Sequence, residues 1–238
     1  MGIQSINKNL VSWGLVLLGS FVASELLATD SSNNENKEES KELVEAIEEI
    51  SDGSLYILNC SECHGFDGNS VNPEWPSIAG LNKSYITRQL KDFKEGKRLN
   101  EDMSRIVKEF PSDKELISLA LYFSEQQLIN PNTPETVKQY TKVDLKLGEE
   151  IFTGKRLEYN IPACSACHGK DAMGDKDGKF PRLAGQHMAY IIKQMEYFRS
   201  KDRSNDMPPQ MRNIAMNMDD EDIESVAAYI AYMGIDKK

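Results

Sequence analysis

Two copies of the pentapeptide Cys-x-x-Cys-His constrain this chain more than any other feature of its sequence. One copy spans residues 60–64, the other spans residues 164–168, and the chain has no further cysteine. This spacing is typical of covalent haem attachment, in which two thiols add to the vinyl groups of one porphyrin and the histidine binds its iron. Two copies in a chain of 238 residues therefore predict a protein built around two haem c groups.

The motifs predict a role for each of their reactive side chains. The predicted thioether-forming residues are Cys60, Cys63, Cys164 and Cys167. The predicted axial iron ligands are His64 and His168. A four-thiolate zinc site, a thioredoxin-type redox pair and disulfides are the competing interpretations. Zinc and disulfides leave both histidines without a role, and a redox pair needs only one motif, usually between a strand and a helix.

The first 28 residues have the layout of a secretory signal peptide. Lys8 supplies a positive charge, an apolar run covers residues 10–23, and small residues allow cleavage after Ser24 or Ala28. The run of 14 residues is short for a bilayer span, which needs about 20 apolar residues, so an uncleaved anchor is the second interpretation. Both interpretations predict a periplasmic location, either soluble or tethered to the inner membrane.

Acidic side chains are concentrated directly after this segment. Residues 29–50 contain eight acidic and two basic side chains, a net of -6 out of -10 for the whole chain. We interpret them as an acidic polar tether, and the lack of apolar residues in 29–41 predicts disorder there. The chain has no basic stripe, which argues against nucleic acid as a partner.

The rest of the chain is a tandem repeat of about 105 residues. Matched positions include Tyr85 with Tyr190, Gln89 with Gln194, Phe93 with Phe198 and Arg105 with Arg212. The repeat predicts domain 1 at residues 51–129, a linker at 130–141 and domain 2 at 142–238. Pro131 and Pro134 mark the linker because proline interrupts helices.

Apolar residues at helical spacing predict an all-α fold for both domains. The predicted helices are Leu55–Asn59, Tyr85–Phe93, Leu116–Phe123, Leu145–Phe152, Tyr190–Phe198 and Ile223–Tyr232. The predicted N-caps are Ser84, Ser112 and Asp219. The acidic run 219–222 is therefore interpreted as a helix start rather than a metal site. Roughly 80 residues per domain make a small core, which a buried porphyrin would complete.

The sixth iron ligand is predicted to be methionine in both domains, since thioether sulfur favours ferrous iron. Met103 is the methionine of the first domain, 39 residues after His64. In the second domain Met211 lies 43 residues after His168. Met207 is the alternative to Met211, because a methionine in this region can also be core filler.

Two prolines are predicted to orient the ligand histidines. Pro76 and Pro181 lie 12 and 13 residues after these histidines, and their carbonyls are predicted to accept the second ring N–H of His64 and His168. The alternative is that each proline only shapes a loop. The third histidine, His187, has no histidine counterpart in the first domain and is interpreted as a solvated surface residue.

The chain resembles the dihaem cytochrome c4 family over residues 51–238. The resemblance is carried by LGEEIFTGKRLEYNIPACSACHG, FPRLAGQHMAYIIKQMEYFR and MRNIAMNMDDEDIESVAAYI in the second half, and by CSECHGFDGNS and WPSIAG in the first. It implies two cytochrome c-type domains, each wrapped around one covalently attached haem and related by a pseudo-twofold axis. It also implies His/Met ligation by His64 with Met103 and by His168 with Met211.

The expected function is one-electron transfer at each haem, without catalysis, because filled coordination positions resist oxygen and peroxide. The resemblance implies a route from a quinol-oxidising complex to a terminal oxidase. A second possible function is that of a dihaem electron-transfer subunit in a larger oxidoreductase, such as a flavocytochrome c sulfide dehydrogenase. The third candidate function is that of a dihaem enzyme with an open iron site. The fourth is that of a binding module whose fold is held together by zinc.

Overall fold

The computed structural model describes residues 56–138, 140 and 143–233. These residues form helices joined by turns and loops, and the described part of the chain contains no β-strand. The first half contains α1 over residues 56–64, α2 at Lys83–Lys94, α3 at Glu101–Val107 and α4 at Asp113–Ser124. Between the halves lies α5 at Pro134–Lys138. The second half contains α6 at Leu145–Thr153, α7 at Ser165–His168, α8 at Met188–Ser200, α9 at Gln210–Ala215 and α10 at Asp220–Met233.

The helix starts follow from local capping chemistry. Ser112 begins α4 with a reciprocal capping box, in which Glu115 accepts from the Ser112 backbone N–H at 2.9 Å. Asp219 accepts from the backbone N–H of Asp222 at 2.9 Å, which confirms the acidic run as the start of α10. The prediction for α2 was wrong by two residues, since Asn82 rather than Ser84 supplies the capping oxygen. Asn82 accepts from the N–H of Ser84, because an Asn side chain reaches the first free donors as well as a hydroxyl does.

Each half has its own hydrophobic core. In the first half α2 packs against α4, and the buried residues include Ile86, Phe93, Leu116, Leu119 and Phe123. In the second half α6 and α8 pack against α10, and the buried residues include Ile151, Phe152, Ile191, Ile223 and Val226. Each fully buried side chain of this size contributes about 1.5–3 kcal/mol of transfer free energy. The two cores lie beside the Cys-x-x-Cys-His motifs, since Cys60 packs against the first and Cys164 against the second.

The segment between the halves packs against the second half. Pro134 is the first residue of α5, where its missing N–H costs no helical hydrogen bond. Val137 is 2% exposed and joins the second core. Asn132 donates to the carbonyl of Gln186 at 2.8 Å and accepts from the N–H of Met188. This segment thereby fixes the start of α8, which carries much of the interface between the halves.

The described residues belong to one unit of the fold, and the two halves contact each other within it. The predicted signal or anchor segment at 1–28, the acidic tether at 29–50 and the first residues of domain 1 lie outside the described residues. Among the helices that are described, none combines the length and the apolar composition that a bilayer span requires.

Candidate functional site

The first Cys-x-x-Cys-His motif forms the end of α1. Gly65 follows at φ 78°, and its N–H donates to the carbonyl of Ser61. His64 is buried, and its Nδ1 lies 2.8 Å from the carbonyl oxygen of Pro76. Burial lowers the pKa of His64, with the Pro76 carbonyl opposing that effect. A neutral imidazole that donates from Nδ1 keeps Nε2 as the nitrogen with a free lone pair.

The second motif repeats this arrangement on α7. His168 is buried, and its Nδ1 lies 2.8 Å from the carbonyl oxygen of Pro181. Burial is again the main reason that its pKa is lowered. The ring of Phe180 meets the imidazole edge-on, with 6.2 Å between centroids. Each half therefore presents one buried, oriented imidazole beside a pair of thiols.

The environment of Cys60 and Cys164 fits covalent haem attachment better than thiol redox chemistry. Burial is the main reason that the pKa values of Cys60 and Cys164 are raised to about 12. A catalytic redox thiol needs a lowered pKa, because the thiolate is the reactive form. Within the described residues, no three or more His, Cys, Asp and Glu side chains are grouped so that they could hold a metal ion. The four cysteines thus do not meet in one zinc site.

One continuous cavity of about 1130 Å³ connects the two motifs. Its wall includes the four cysteines together with His64, His168, Met103, Met207 and Met211. Apolar side chains of both halves complete it, among them Leu81, Phe93, Phe123, Ile191, Phe198 and Val226. A cavity of this size, with thiols and imidazoles at both ends, fits two porphyrins that the cysteines hold covalently.

The three candidate methionines have different environments. Met103 is partly buried and packs against the first core. Met211 is partly buried on α9. Met207 is 79% exposed, and its sulfur accepts from Nη2 of Arg212 at 3.4 Å. The sulfur of Met207 is therefore already engaged at the protein surface.

The interpretation of His187 as a solvated surface residue was wrong. His187 is 6% exposed, and its Nε2 lies 2.8 Å from the carbonyl oxygen of Ser70 in the other half. The hydroxyl of Ser70 in turn donates to the carbonyl of Cys63. The position is buried because the start of α8 packs against the loop that follows the first motif, a contact between halves that helix periodicity cannot reveal.

A buried polar cluster between the halves was not predicted from the sequence. We call the following residues the interface cluster: Tyr85, Gln89, Arg98, Tyr190, Gln194 and Arg203. Gln89 Oε1 accepts from Arg98 at 2.7 Å and from Arg203 at 3.0 Å. Gln194 Oε1 accepts from Arg98 at 2.9 Å and from Arg203 at 2.8 Å. Both arginines are 8% exposed and line the cavity.

The sequence carried one signal for this cluster. The repeat already matches Tyr85 and Gln89 with Tyr190 and Gln194, and each arginine follows its glutamine by nine residues. Two arginines at matching places in two haem-binding repeats indicate a shared anion site, but only the packed structure brings them together.

The interface cluster is rich in positive charge for a buried site. Among the described residues, neither Arg98 nor Arg203 has a carboxylate within ion-pair distance, and their partners are amide and phenol oxygens. Buried charges are normally paired, because transfer from water costs several kcal/mol per ion. The cavity wall is thus suited to negatively charged groups such as the carboxylates of a porphyrin, which supports the fit of the two haems.

Comparison with known proteins agrees with the geometry, which fits two covalently held haems. A family model described as Cytochrome c matches residues 29–129 and 145–234. Cytochrome c4 of Pseudomonas aeruginosa is 34% identical over 180 residues, which are 75% of this chain and 85% of that protein. The thiosulfate dehydrogenase electron acceptor of Stutzerimonas stutzeri is 32% identical over 178 residues, which are 74% of this chain and 80% of that protein.

A solved structure extends the likeness to the fold. Reduced recombinant cytochrome c4 from Pseudomonas stutzeri superimposes with a TM-score of 0.66 at 34% identity, covering 77% of this chain and 96% of that chain. The predictions of an all-α fold with two tandem cytochrome c domains and of two haem c groups are confirmed. The chain belongs to the cytochrome c4 family and is an electron-transfer protein that carries two covalently bound haem c groups.

Proposed function

We propose that His64 and Met103 are the axial ligands of haem 1, and that His168 and Met211 are those of haem 2. Both histidines are buried in the cavity wall with Nδ1 held by a carbonyl. Met211 is preferred to Met207 because Met207 is exposed and its sulfur accepts from Arg212. The thioether bonds are assigned to Cys60, Cys63, Cys164 and Cys167.

The carbonyls of Pro76 and Pro181 orient the ligand histidines in this proposal. A hydrogen bond to Nδ1 fixes the ring plane and the tautomer, and it raises the basicity of Nε2. The two matching distances of 2.8 Å support this role, because a proline that only shaped a loop would not need its carbonyl at the imidazole in both halves.

Arg98 and Arg203 are assigned to the carboxylates of the two haems. The two guanidiniums share both glutamine oxygens and have only neutral partners, so an anion between them would remove the unfavourable burial of two like charges. A guanidinium also suits a carboxylate geometrically, since it donates two parallel hydrogen bonds.

The function that the geometry supports best is one-electron transfer at two haems, and we propose that it takes place in the periplasm, from a quinol-oxidising complex to a terminal oxidase, as the resemblance to the family implies. Haem c supplies an iron that alternates between ferric and ferrous states. The observation that carries the proposal is the single cavity that reaches both motifs, which places two redox sites next to each other. The apolar lining would exclude water, and Met103 and Met211 would act as the second axial ligands of the two irons, so the sites would transfer electrons without binding substrate.

The N-terminal segments complete this proposal. Residues 1–28 are assigned to export, as a cleaved signal or a retained anchor, and residues 29–50 to a tether. The domains are placed at 51–129 and 142–238, with the segment 130–141 between them.

A second candidate function is the electron-accepting subunit of a sulfur-oxidising enzyme. It is favoured by the 32% identity to a thiosulfate dehydrogenase electron acceptor over most of both chains. In that case the same two haems would receive electrons from a dedicated enzyme rather than from a quinol-oxidising complex.

The two functions are separated by the source of electrons. Oxidised holoprotein would be mixed with thiosulfate alone, with thiosulfate and a thiosulfate dehydrogenase, and with quinol and a quinol-oxidising complex. The proposal predicts rapid haem reduction only in the quinol mixture. Rapid reduction only with the thiosulfate enzyme would favour the second function, and reduction by thiosulfate alone would indicate an enzyme.

A further inference from the structure

The loop that carries Pro181 is held by a side chain of the opposite half. Arg88 lies on α2 of the first half and is partly buried. Its Nη2 donates to the carbonyl oxygen of Gly178 at 2.9 Å and to that of Lys179 at 3.1 Å. These two carbonyls come directly before Phe180 and Pro181 in the chain, so Arg88 fixes the backbone that leads to the carbonyl at His168.

The second half holds the loop that carries Pro76 from the matching position. Lys193 on α8 matches Arg88 in the repeat, and Glu74 matches Lys179. Lys193 Nζ donates to the carboxylate of Glu74 at 2.8 Å, two residues before Pro76. The same pair of positions thus connects the halves in both directions.

A second pair of matched positions makes a similar exchange. Asn82 Nδ2 donates to the carbonyl oxygen of Lys176 at 2.8 Å, and His187 Nε2 lies 2.8 Å from the carbonyl oxygen of Ser70. The contact at Asn82 is close, since a Cβ at Gly178 would overlap its side chain. Each helix start therefore grips the loop that precedes the proline of the other half.

The rest of the Pro181 loop transmits its position to the imidazole of His168. The backbone N–H of Phe180 donates to Oδ1 of Asp175 at 3.0 Å, and the carbonyl of Phe180 accepts from the backbone N–H of Asp175 at 3.1 Å. The Phe180 ring meets the imidazole edge-on, and the carbonyl of Pro181 lies 2.8 Å from its Nδ1. A displacement at residues 178–179 therefore reaches His168 through two residues of tightly bonded chain.

We propose that each half orients the ligand histidine of the other, and that Arg88 is a positioning residue for His168. A charged guanidinium makes strong hydrogen bonds to carbonyls, and the bond from His168 Nδ1 keeps its geometry only while the accepting loop stays in place. This inference rests on the proposed function, because it takes His64 and His168 as the iron ligands. It adds that neither half alone provides a fully oriented histidine.

The test measures the hydrogen bond at each ligand histidine directly. The chain has three histidines, so isotopically labelled histidine gives no more than three ring N–H signals from neutral imidazoles in the reduced holoprotein. His187→Ala removes one signal. Phe180→Leu shifts the signal of His168, because the Phe180 ring lies beside that imidazole. The measured quantity is the rate at which each Nδ1 proton exchanges with solvent.

Arg88→Met keeps the apolar stem of the side chain and removes its donors. It should raise the exchange rate of the His168 proton about three- to tenfold, as expected for the loss of one restraining hydrogen bond, and leave that of His64 unchanged. Arg88→Lys, which introduces the residue found at the matching position 193, should restore most of the protection. His187→Ala should have the reciprocal effect, with faster exchange at His64 only.

The control is Lys91→Met, which removes an equal charge from the same helix. Lys91 pairs with Asp113 of its own half at 2.7 Å, so both exchange rates should stay unchanged. An unchanged His168 rate in Arg88→Met, or an equal rise at His64 and His168, would overturn the inference, and so would an unchanged His64 rate in His187→Ala. Haem content and carbon monoxide binding of the same samples test the proposed ligation separately.

Discussion

At the scale of single residues, the two candidate sulfurs of the second half differ in what they already contact. Both residues line the cavity, but Met207 is 79% exposed and accepts from Arg212, while Met211 is partly buried on α9. Iron ligation requires a sulfur whose lone pair is free within the water-excluded site. This difference gives the ligand assignment a direct test.

Met211→Ala should open the iron of haem 2. We expect the far-red ferric band of methionine ligation to fall by about half, and reduced protein to bind about one carbon monoxide per chain, because one of two haems loses its sixth ligand. Met207→Ala is the matched control and should change neither signal. Carbon monoxide binding by the Met207 variant alone would reverse the assignment.

His187 should make the stability of the protein depend on pH. Burial lowers its pKa below the ordinary value of 6.5, although its bond to the Ser70 carbonyl opposes this. As the pH falls, the unfolded chain therefore takes up the proton before the folded protein does. The contribution of neutral His187 to the free energy of unfolding is complete above pH 6.5 and is lost as the pH falls below it. His187→Asn, which introduces the residue found at the matching position 82, should weaken the dependence of the free energy of unfolding on pH. Denaturant titrations between pH 7 and pH 5 measure this dependence as a slope. An equal slope in both proteins would contradict the argument.

Local spacing was enough to predict some of the contacts at the candidate site. The contact of His64 with Pro76 and that of His168 with Pro181 were predicted because the prolines recur at nearly the same distance from the motifs in both halves. His187 and the two interface arginines could not be placed in this way. Their environment is created by the other half of the molecule, and helix periodicity contains no information about that contact.

At the scale of helices, α6 and α10 approach more closely than any side chain at Gly148 would allow. A Cβ at this position would clash with the carbonyl oxygen of Ser225, which is backbone and cannot move independently. Ser225 also accepts, through its hydroxyl, from the N–H of Asp144 at the start of α6. The packing of the second half thus depends on one glycine.

Gly148→Ala should therefore destabilise the second half. We expect a loss of about 1–3 kcal/mol in the free energy of unfolding, the usual range for overpacking a dense core. Glu149→Ala, at the next and exposed position, is the control and should change stability by less than about 0.5 kcal/mol. Denaturant unfolding of both holoproteins measures the difference, and equal midpoints would show that the helices can separate without cost.

The long helices were predictable and the short ones were not. The predicted segments lie within α1, α2, α4, α6, α8 and α10, except that the first begins at Leu55, outside the described residues. By contrast, α3 and α9, which carry Met103 and Met211, were missed. They have seven and six residues, too few for an apolar stripe to emerge. Their starts depend on local features, Asn100 as an N-cap for α3 and Pro209 before α9.

At the scale of the whole molecule, the two halves are joined by contacts that continue from one haem site to the other. The side chain of Gln186 makes two such contacts with Ser77 of the first half. It donates to the Ser77 carbonyl and accepts from the Ser77 N–H. Arg182 donates to the carbonyl of Ala79 across the interface. These bonds adjoin Pro76 and Pro181, whose carbonyls contact His64 and His168, so the geometry of one site is tied to that of the other.

The net charge predicts that electrostatic attraction speeds the association of this protein with basic partners. The chain carries a formal charge of -10, and ionised haem carboxylates would add to it. Acidic surfaces steer basic partners, and salt screens this attraction over about 10 Å at 0.1 M. The bimolecular rate of electron transfer with a basic partner should therefore fall as ionic strength rises in stopped-flow experiments. A rate that does not depend on salt would contradict the prediction that electrostatic attraction guides docking.

The most direct test of the central claim is the visible spectrum of the holoprotein, matured with covalent haem attachment machinery. The account predicts two haems per chain, a far-red ferric band from methionine ligation, and no change when carbon monoxide is added to the reduced protein. One haem, a missing band or a clear carbon monoxide shift would show that at least one iron is absent or open, and would contradict a closed dihaem carrier.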